Sequence, residues 1–70
     1  MANPFITIVH NPNNYCKLLL IYDDNKYYYS ETKSHQELKN FKQPRSIEIY
    51  EDEIIVHSKN NKHLLVINKR

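Results

Sequence analysis

A chain of 70 residues with one cysteine, no glycine and a net charge of +2 falls outside several classes of protein. One cysteine cannot form a disulfide within the chain, and the absence of glycine excludes glycine-rich phosphate-binding loops. The charge is too small to indicate nucleic-acid binding by itself, and no apolar run approaches the roughly 20 residues that span a membrane.

The length predicts a single domain, residues 1–70, that needs a further source of stability. A domain of this size buries only about 60% of the surface of its unfolded chain, so a metal or a second copy of the chain is an expected support. The lone cysteine and the lack of a signal sequence predict a cytoplasmic protein. Lys, Asn, Ile and Tyr are abundant, and their A/T-rich codons indicate a phage or another mobile element as the source.

Three strands are predicted in the first half of the chain. The segment FITIVH, residues 5–10, is rich in β-branched side chains and favours a strand. The turn-forming residues 11–14 end it, and a second strand, CKLLLIYD, follows over residues 16–23. Residues 24–25, Asp and Asn, suit a two-residue hairpin turn. The third strand is then KYYYSE, residues 26–31.

This turn predicts which side chains share a face of the first hairpin. It places Tyr22 opposite Tyr27 and Leu20 opposite Tyr29, and side chains alternate between the two faces along each strand. The other face then carries Tyr28. The face predicted as the binding surface carries Leu18, Leu20, Tyr22, Tyr27 and Tyr29.

One short helix is predicted over residues 34–43. Ser34, with Glu37 three residues later, forms the pattern of a capping box. Leu38 and Phe41 give the segment an apolar side, and the proline that follows ends it. A helix of two to three turns is stable only when it docks on a sheet.

Three more strands follow the helix, and their register is predicted from two turns. A turn at Glu51–Asp52 places Ile49 opposite Ile54, and a turn at Asn60–Asn61 places Ile54 opposite Ile67. Both choices give the same apolar face, which supports the register because a slip of one residue would scramble it. This face carries Ile47, Ile49, Ile54, Val56, Leu65 and Ile67.

The order of elements predicts an α+β fold. Two antiparallel three-stranded meanders are joined by one short helix, in a β3-α-β3 order, as a sheet or a small open barrel. One helix covers one side of a sheet of this size, so a remaining apolar face must close on itself or meet another molecule.

Candidate catalytic and metal-binding residues are few. The predicted register places His57 and His63 on opposite faces, and no second cysteine joins His10 and Cys16 near the first turn, so we expect no zinc site and no other cofactor. Cys16 with His10 could form a nucleophile and its base, but a lone cysteine at the start of a strand is more often a small apolar filler. We therefore expect no enzymatic activity.

Two functions remain for the predicted tyrosine-bearing face. The first is a protein-binding module that acts as a homodimer and inhibits a host protein by occupying its surface, because Leu18 and Leu20 beside the rings are typical of protein packing. The alternative is binding of single-stranded nucleic acid, in which the rings stack on bases and nearby cations contact the backbone. Those cations would be the ones around the helix and near the last hairpin, including Lys33, Lys39, Lys42 and Arg45.

Overall fold

Within the described residues, 4–12 and 15–69, this computed structural model contains two antiparallel sheets and one short helix. In chain order the elements are β1 (Phe5–His10), β2 (Tyr15–Tyr22), β3 (Lys26–Tyr29), β4 (Lys33–Ser34), α1 (His35–Leu38), a 3-10 helix (Lys39–Phe41), β5 (Ser46–Ile49), β6 (Glu53–His57) and β7 (Leu64–Asn68). The predicted α+β fold is confirmed. Asn13 and Asn14, part of the predicted first turn, lie outside the described residues.

The first sheet has the strand order β1-β2-β3, and the two-residue strand β4 pairs with β2 beside β3. The chain leaves β2 after Tyr29 and returns at Lys33, which lies opposite Cys16. Ser30 bridges this irregular stretch. Its backbone N–H donates to the Leu18 carbonyl at 2.9 Å, and its Oγ accepts the Leu18 N–H at 2.9 Å. The hydroxyl thus replaces a backbone acceptor where the strand is interrupted.

The second sheet has the order β5-β6-β7, and its predicted register is confirmed. Ile49 lies opposite Ile54, and Ile54 lies opposite Ile67. Asn61 takes a positive φ of 60°, as expected in a chain whose tight turns must use Asn or Asp in place of glycine.

The predicted pairing of β2 with β3 is wrong by one residue. Tyr22 lies opposite Lys26, and Leu20 lies opposite Tyr28. Because successive side chains point to opposite faces, this shift moves Tyr27 and Tyr29 to the face opposite that of Tyr22. The five residues predicted to share one face therefore divide between two faces.

The turn between β2 and β3 causes this shift, because it has three residues where two were predicted. Asp23 and Asp24 both adopt positive φ, 58° and 54°. The Asn25 N–H donates to the Asp23 carbonyl at 2.6 Å. Short polar side chains tolerate this left-handed conformation, so Asp23 leaves the strand and joins the turn.

The predicted helix forms but is mostly not α-helical. Ser34 is its N-cap, and its Oγ accepts the Glu37 N–H at 3.3 Å. After Leu38 the chain tightens into the 3-10 helix, in which a hydrogen bond spans three residues. Leu38 and Phe41 are both buried, so the segment docks on the sheets as its length requires.

The core lies between the inner faces of the two sheets, with the helical segment covering it. All its members are buried apolar side chains: Cys16, Leu18, Leu20, Leu38, Phe41, Ile54, Val56, Leu65 and Ile67. Four of the six residues predicted to share the apolar face of the second sheet belong to it. The outer faces of both sheets are left to solvent, and one of them is unusually apolar.

Candidate binding surfaces

The predicted binding residues lie in two different environments. Leu18 and Leu20 are fully buried, so no partner can reach them. Tyr22 is half-buried on the same inner side, whereas Tyr27 and Tyr29 are exposed on the outer side of the first sheet. The predicted grouping is corrected accordingly, because of the five residues Tyr27 and Tyr29 are the ones more than half exposed.

The outer side of the first sheet, which we call the tyrosine face, is built by alternation along three paired strands. Phe5, Ile21 and Tyr27 lie side by side in one row across the sheet. Leu19 and Tyr29 share the next row. The face as a whole carries Phe5, Thr7, Val9, Tyr15, Lys17, Leu19, Ile21, Tyr27 and Tyr29.

Four large rings on this face are more than half exposed. Phe5 is 58%, Tyr15 57%, Tyr27 61% and Tyr29 51% accessible. A ring side chain presents on the order of 200 Å² when fully exposed, so these four leave about 450 Å² open to solvent. Contiguous apolar patches of about 300–600 Å² are the largest found on typical monomers and are often functional.

One cation lies on the tyrosine face. The Lys17 Nζ is 6.0 Å from the centre of the Tyr29 ring, a distance at which a cation interacts favourably with an aromatic face. Lys26 pairs with Tyr22 and lies on the inner side. The helical segment packs on the inner side through Leu38 and Phe41.

The inner tyrosines form a separate cluster at the margin of the core. The Tyr22 and Tyr28 rings are stacked with centroids 5.6 Å apart and planes 17° from parallel. The Lys69 Nζ lies 5.6 Å and 5.7 Å from the two ring centres. Hydrogen bonding to the Lys69 ammonium lowers the pKa of Tyr22, and the same interaction raises the pKa of Lys69. This cluster links β7 to the first sheet.

Three polar side chains meet on the outer side of the second sheet. The Tyr50 hydroxyl donates to Glu48 Oε1 at 2.5 Å, and His57 Nε2 lies 2.5 Å from Glu48 Oε2. The hydrogen bond from Tyr50 and the smaller contribution of the hydrogen bond with His57 lower the pKa of Glu48. The Glu48 carboxylate in turn raises the pKa of Tyr50. The alternation of β5 and β6 already placed these residues on one face, but the sequence did not show that they bond.

A carboxylate between a histidine and a tyrosine is a combination found in acid–base catalysis. Here the three side chains lie on the outer side of a sheet, and the Glu48 side chain is 43% accessible. A catalytic group needs a concave site that holds a substrate against it. We therefore interpret the cluster as a cross-strand network that supports the pairing of β5 with β6.

The Cys16 and His10 side chains are in contact, with Sγ and Nδ1 3.4 Å apart. The His10 ring also lies 5.2 Å from the His35 ring. Cys16 is buried in the core, which fits the prediction of a small apolar filler. Among the described residues, no group of three or more His, Cys, Asp or Glu side chains is arranged to hold a metal ion.

Sequence reasoning missed seven of the nine members of the tyrosine face: Phe5, Thr7, Val9, Tyr15, Lys17, Leu19 and Ile21. The signal was present, since the alternation of β1 and β2 groups them once the two strands are paired. In the described part of the chain, neither helical segment is long and apolar enough to cross a membrane. Comparison with protein-family models, curated proteins and solved structures finds no match to this chain.

Proposed function

We propose that this chain is a non-enzymatic protein-binding module and that the tyrosine face is its contact surface. The observation that carries the proposal is the set of four exposed rings on one side of the first sheet. Tyr and Phe are enriched at protein interfaces because they present a large contact area and lose little conformational entropy on binding.

The size of the tyrosine face fits this function. Its rings present about 450 Å², more than half of the roughly 800 Å² that one partner contributes to a standard interface. Leu19, Ile21 and Val9 lie between and beside the rings and add apolar area. The buried core directly beneath holds the sheet in place, so little ordering is needed when a partner binds.

The proposal extends to where and how the module acts. We place it in the cytoplasm, in keeping with its single cysteine. As a small phage or mobile-element product, it would inhibit a host protein by occupying a surface that the host protein needs. The apolar character of the tyrosine face implies a partner surface that is itself largely apolar at its centre.

Binding of single-stranded nucleic acid is the second candidate, and the position of Lys17 over Tyr29 favours it. A stacking platform combines such rings with a basic groove that follows the nucleic-acid backbone. Lys17 is the one lysine or arginine on the outer side among the described residues of β1, β2 and β3. With a single cation, the tyrosine face fits a protein partner better.

The test is capture of partners on immobilised protein. It compares variants that each remove one tyrosine ring, chosen so that the removed rings have similar solvent exposure. Tyr27→Ser and Tyr29→Ser remove rings from the tyrosine face, whereas Tyr50→Ser removes a ring of similar exposure, 49%, from the second sheet. Nuclease-treated host lysate should yield a protein that the wild type and Tyr50→Ser retain and the other two variants lose.

Two results would contradict the proposal. Equal loss in all three variants would show that the tyrosine face is not the contact surface. Micromolar binding of single-stranded DNA or RNA that weakens steeply with salt and disappears in Tyr29→Ser would instead establish the nucleic-acid function. Circular dichroism of each variant confirms that the fold is retained.

A further inference from the structure

Among the described strands, β7 forms one edge of the second sheet and pairs with β6 alone. A strand in this position carries a row of backbone N–H and C=O groups that another strand can bind. Proteins usually protect such edges with a proline, a bulge or an inward-pointing charge. Leu64–Asn68 is a regular strand whose sequence, LLVIN, contains none of these.

Two hydrogen bonds show which backbone groups of β7 face the open side. The Ser58 N–H donates to the His63 carbonyl at 3.0 Å, and the Lys69 N–H donates to the Asp52 carbonyl at 3.1 Å. Bonded and non-bonded pairs alternate along an antiparallel ladder, so Leu65 and Ile67 also bond to β6. The backbone groups of the intervening residues point away from β6: Leu64, Val66 and Asn68.

This edge is open to another molecule. A groove of about 620 Å³ lies beside it, lined by Leu64, Val66 and Asn68, by Glu31 and Lys33, and by side chains of the helical segment that include Glu37. Leu64 is 61% and Val66 45% accessible, so two of the three side chains at the edge are apolar as well as exposed. Within the part of the chain that the structure describes, no strand pairs with this side of β7.

We propose that β7 pairs with β7 of a second copy of the chain, antiparallel and centred on Val66. In this register Val66 lies opposite Val66 of the second copy, and Leu64 lies opposite its Asn68. Each of these pairs exchanges both of its hydrogen bonds, so every edge-facing N–H and C=O of the three residues is satisfied. The two second sheets then form one continuous sheet across a two-fold axis.

The composition of the edge fits a second copy. A two-fold interface brings each residue near the axis close to its own copy, so a charged residue there would repel itself. The residue on the axis is Val66, and the flanking Leu64 and Asn68 are also uncharged. Farther out, His63 lies opposite Lys69 of the second copy.

This dimer replaces the one expected from the sequence, whose face included Leu18 and Leu20, now known to be buried. It does not depend on the proposed function, because β7 and the tyrosine face lie on different sheets. Pairing through β7 leaves the tyrosine face of each copy free, so the dimer would present two copies of that face to a partner with repeated sites.

Cysteine cross-linking tests the register. In Val66→Cys the two cysteines lie about 5.5 Å apart between Cα atoms, within the range of a disulfide. In Leu64→Cys they lie about 14 Å apart, four residues along the strand, which is too far. Under mild oxidation Val66→Cys should form a covalent dimer and Leu64→Cys should not, whereas a mixture of Leu64→Cys with Asn68→Cys should form a mixed dimer. The wild type is the negative control, because Cys16, its one cysteine, is buried.

Analytical ultracentrifugation of a proline variant provides the second measurement. Val66→Pro removes an N–H that faces the open edge and takes no part in the ladder with β6, a position where proline is tolerated. Its matched control, Val66→Thr, keeps the N–H. The wild type and Val66→Thr should dimerise, and Val66→Pro should dimerise at least about ten-fold more weakly.

Three results would overturn the proposal. The first is a wild type that stays monomeric at hundreds of micromolar, and the second is a Val66→Pro variant that dimerises like the wild type. The third is a Leu64→Cys variant that, without Asn68→Cys, cross-links as well as Val66→Cys does. A monomer that binds an extended peptide along β7 would assign the edge to a foreign strand. If Val66→Pro fails to fold, the cross-linking pattern decides. Loss of the dimer with retained partner capture separates this proposal from the proposed function.

Discussion

Replacing Ser30 by alanine should destabilise the fold strongly for so small a change. Ser30 is buried, and its Oγ accepts the N–H of Leu18, which is itself fully buried in β2. The same hydroxyl donates to the Glu31 carbonyl at 2.8 Å. In Ser30→Ala the buried Leu18 N–H loses this acceptor. The Glu31 carbonyl belongs to an exposed residue, so solvent can satisfy it.

The expected cost follows from the burial of that donor. A buried donor left without a partner costs about 1–3 kcal/mol. At roughly 0.05–0.15 kcal/mol per residue, a chain of this length has a free energy of unfolding of about 4–10 kcal/mol. A loss of about 2 kcal/mol would lower the melting temperature by roughly 8–16 °C in a domain of this size.

The assay is chemical and thermal denaturation of Ser30→Ala beside Ser46→Ala. Ser46 is exposed in β5, so Ser46→Ala removes the same hydroxyl group at a solvated position. Ser46→Ala should lie within about 0.5 kcal/mol of the wild type. If Ser30→Ala also unfolds within about 0.5 kcal/mol of the wild type, the Leu18–Ser30 hydrogen bond does not support the interrupted strand and the reasoning is refuted.

Two further predictions concern titrating side chains. The Tyr50 and His57 interactions depress the pKa of Glu48 below its ordinary 4.5, so the stabilisation that they give is present above pH 4.5 and is lost as the pH falls through the folded-state pKa. The melting temperatures of the wild type and Glu48→Gln should therefore differ near neutral pH and converge in acid. A difference that stays constant with pH would contradict this. Because Lys69 lowers the pKa of Tyr22, Lys69→Gln should raise it in an NMR titration of the Tyr22 ring, and an unchanged value would show that Lys69 is not the cause.

The sequence by itself determined the second half of the fold. Its strands alternate apolar and polar residues, so only the correct pairing register of two strands gives a face that is uniformly apolar. The turn at Glu51–Asp52 and the turn at Asn60–Asn61 agreed on that face, and the structure pairs Ile54 with Ile49 and Ile67 as predicted. The capping by Ser34 was equally local, because it depends on a hydroxyl and an N–H three residues apart.

The tertiary structure alone decided the register of β3, and with it the composition of the tyrosine face. Tyr27, Tyr28 and Tyr29 are equally suited to either face of a strand, and β2 is apolar on both sides, so a slip of one residue left the hydrophobic pattern intact. Asp23, Asp24 and Asn25 all tolerate left-handed backbone, so the turn chemistry allowed two residues or three. Packing against the second sheet and the helix buried Leu18 and Leu20, and this burial left Tyr27 and Tyr29 on the outer side.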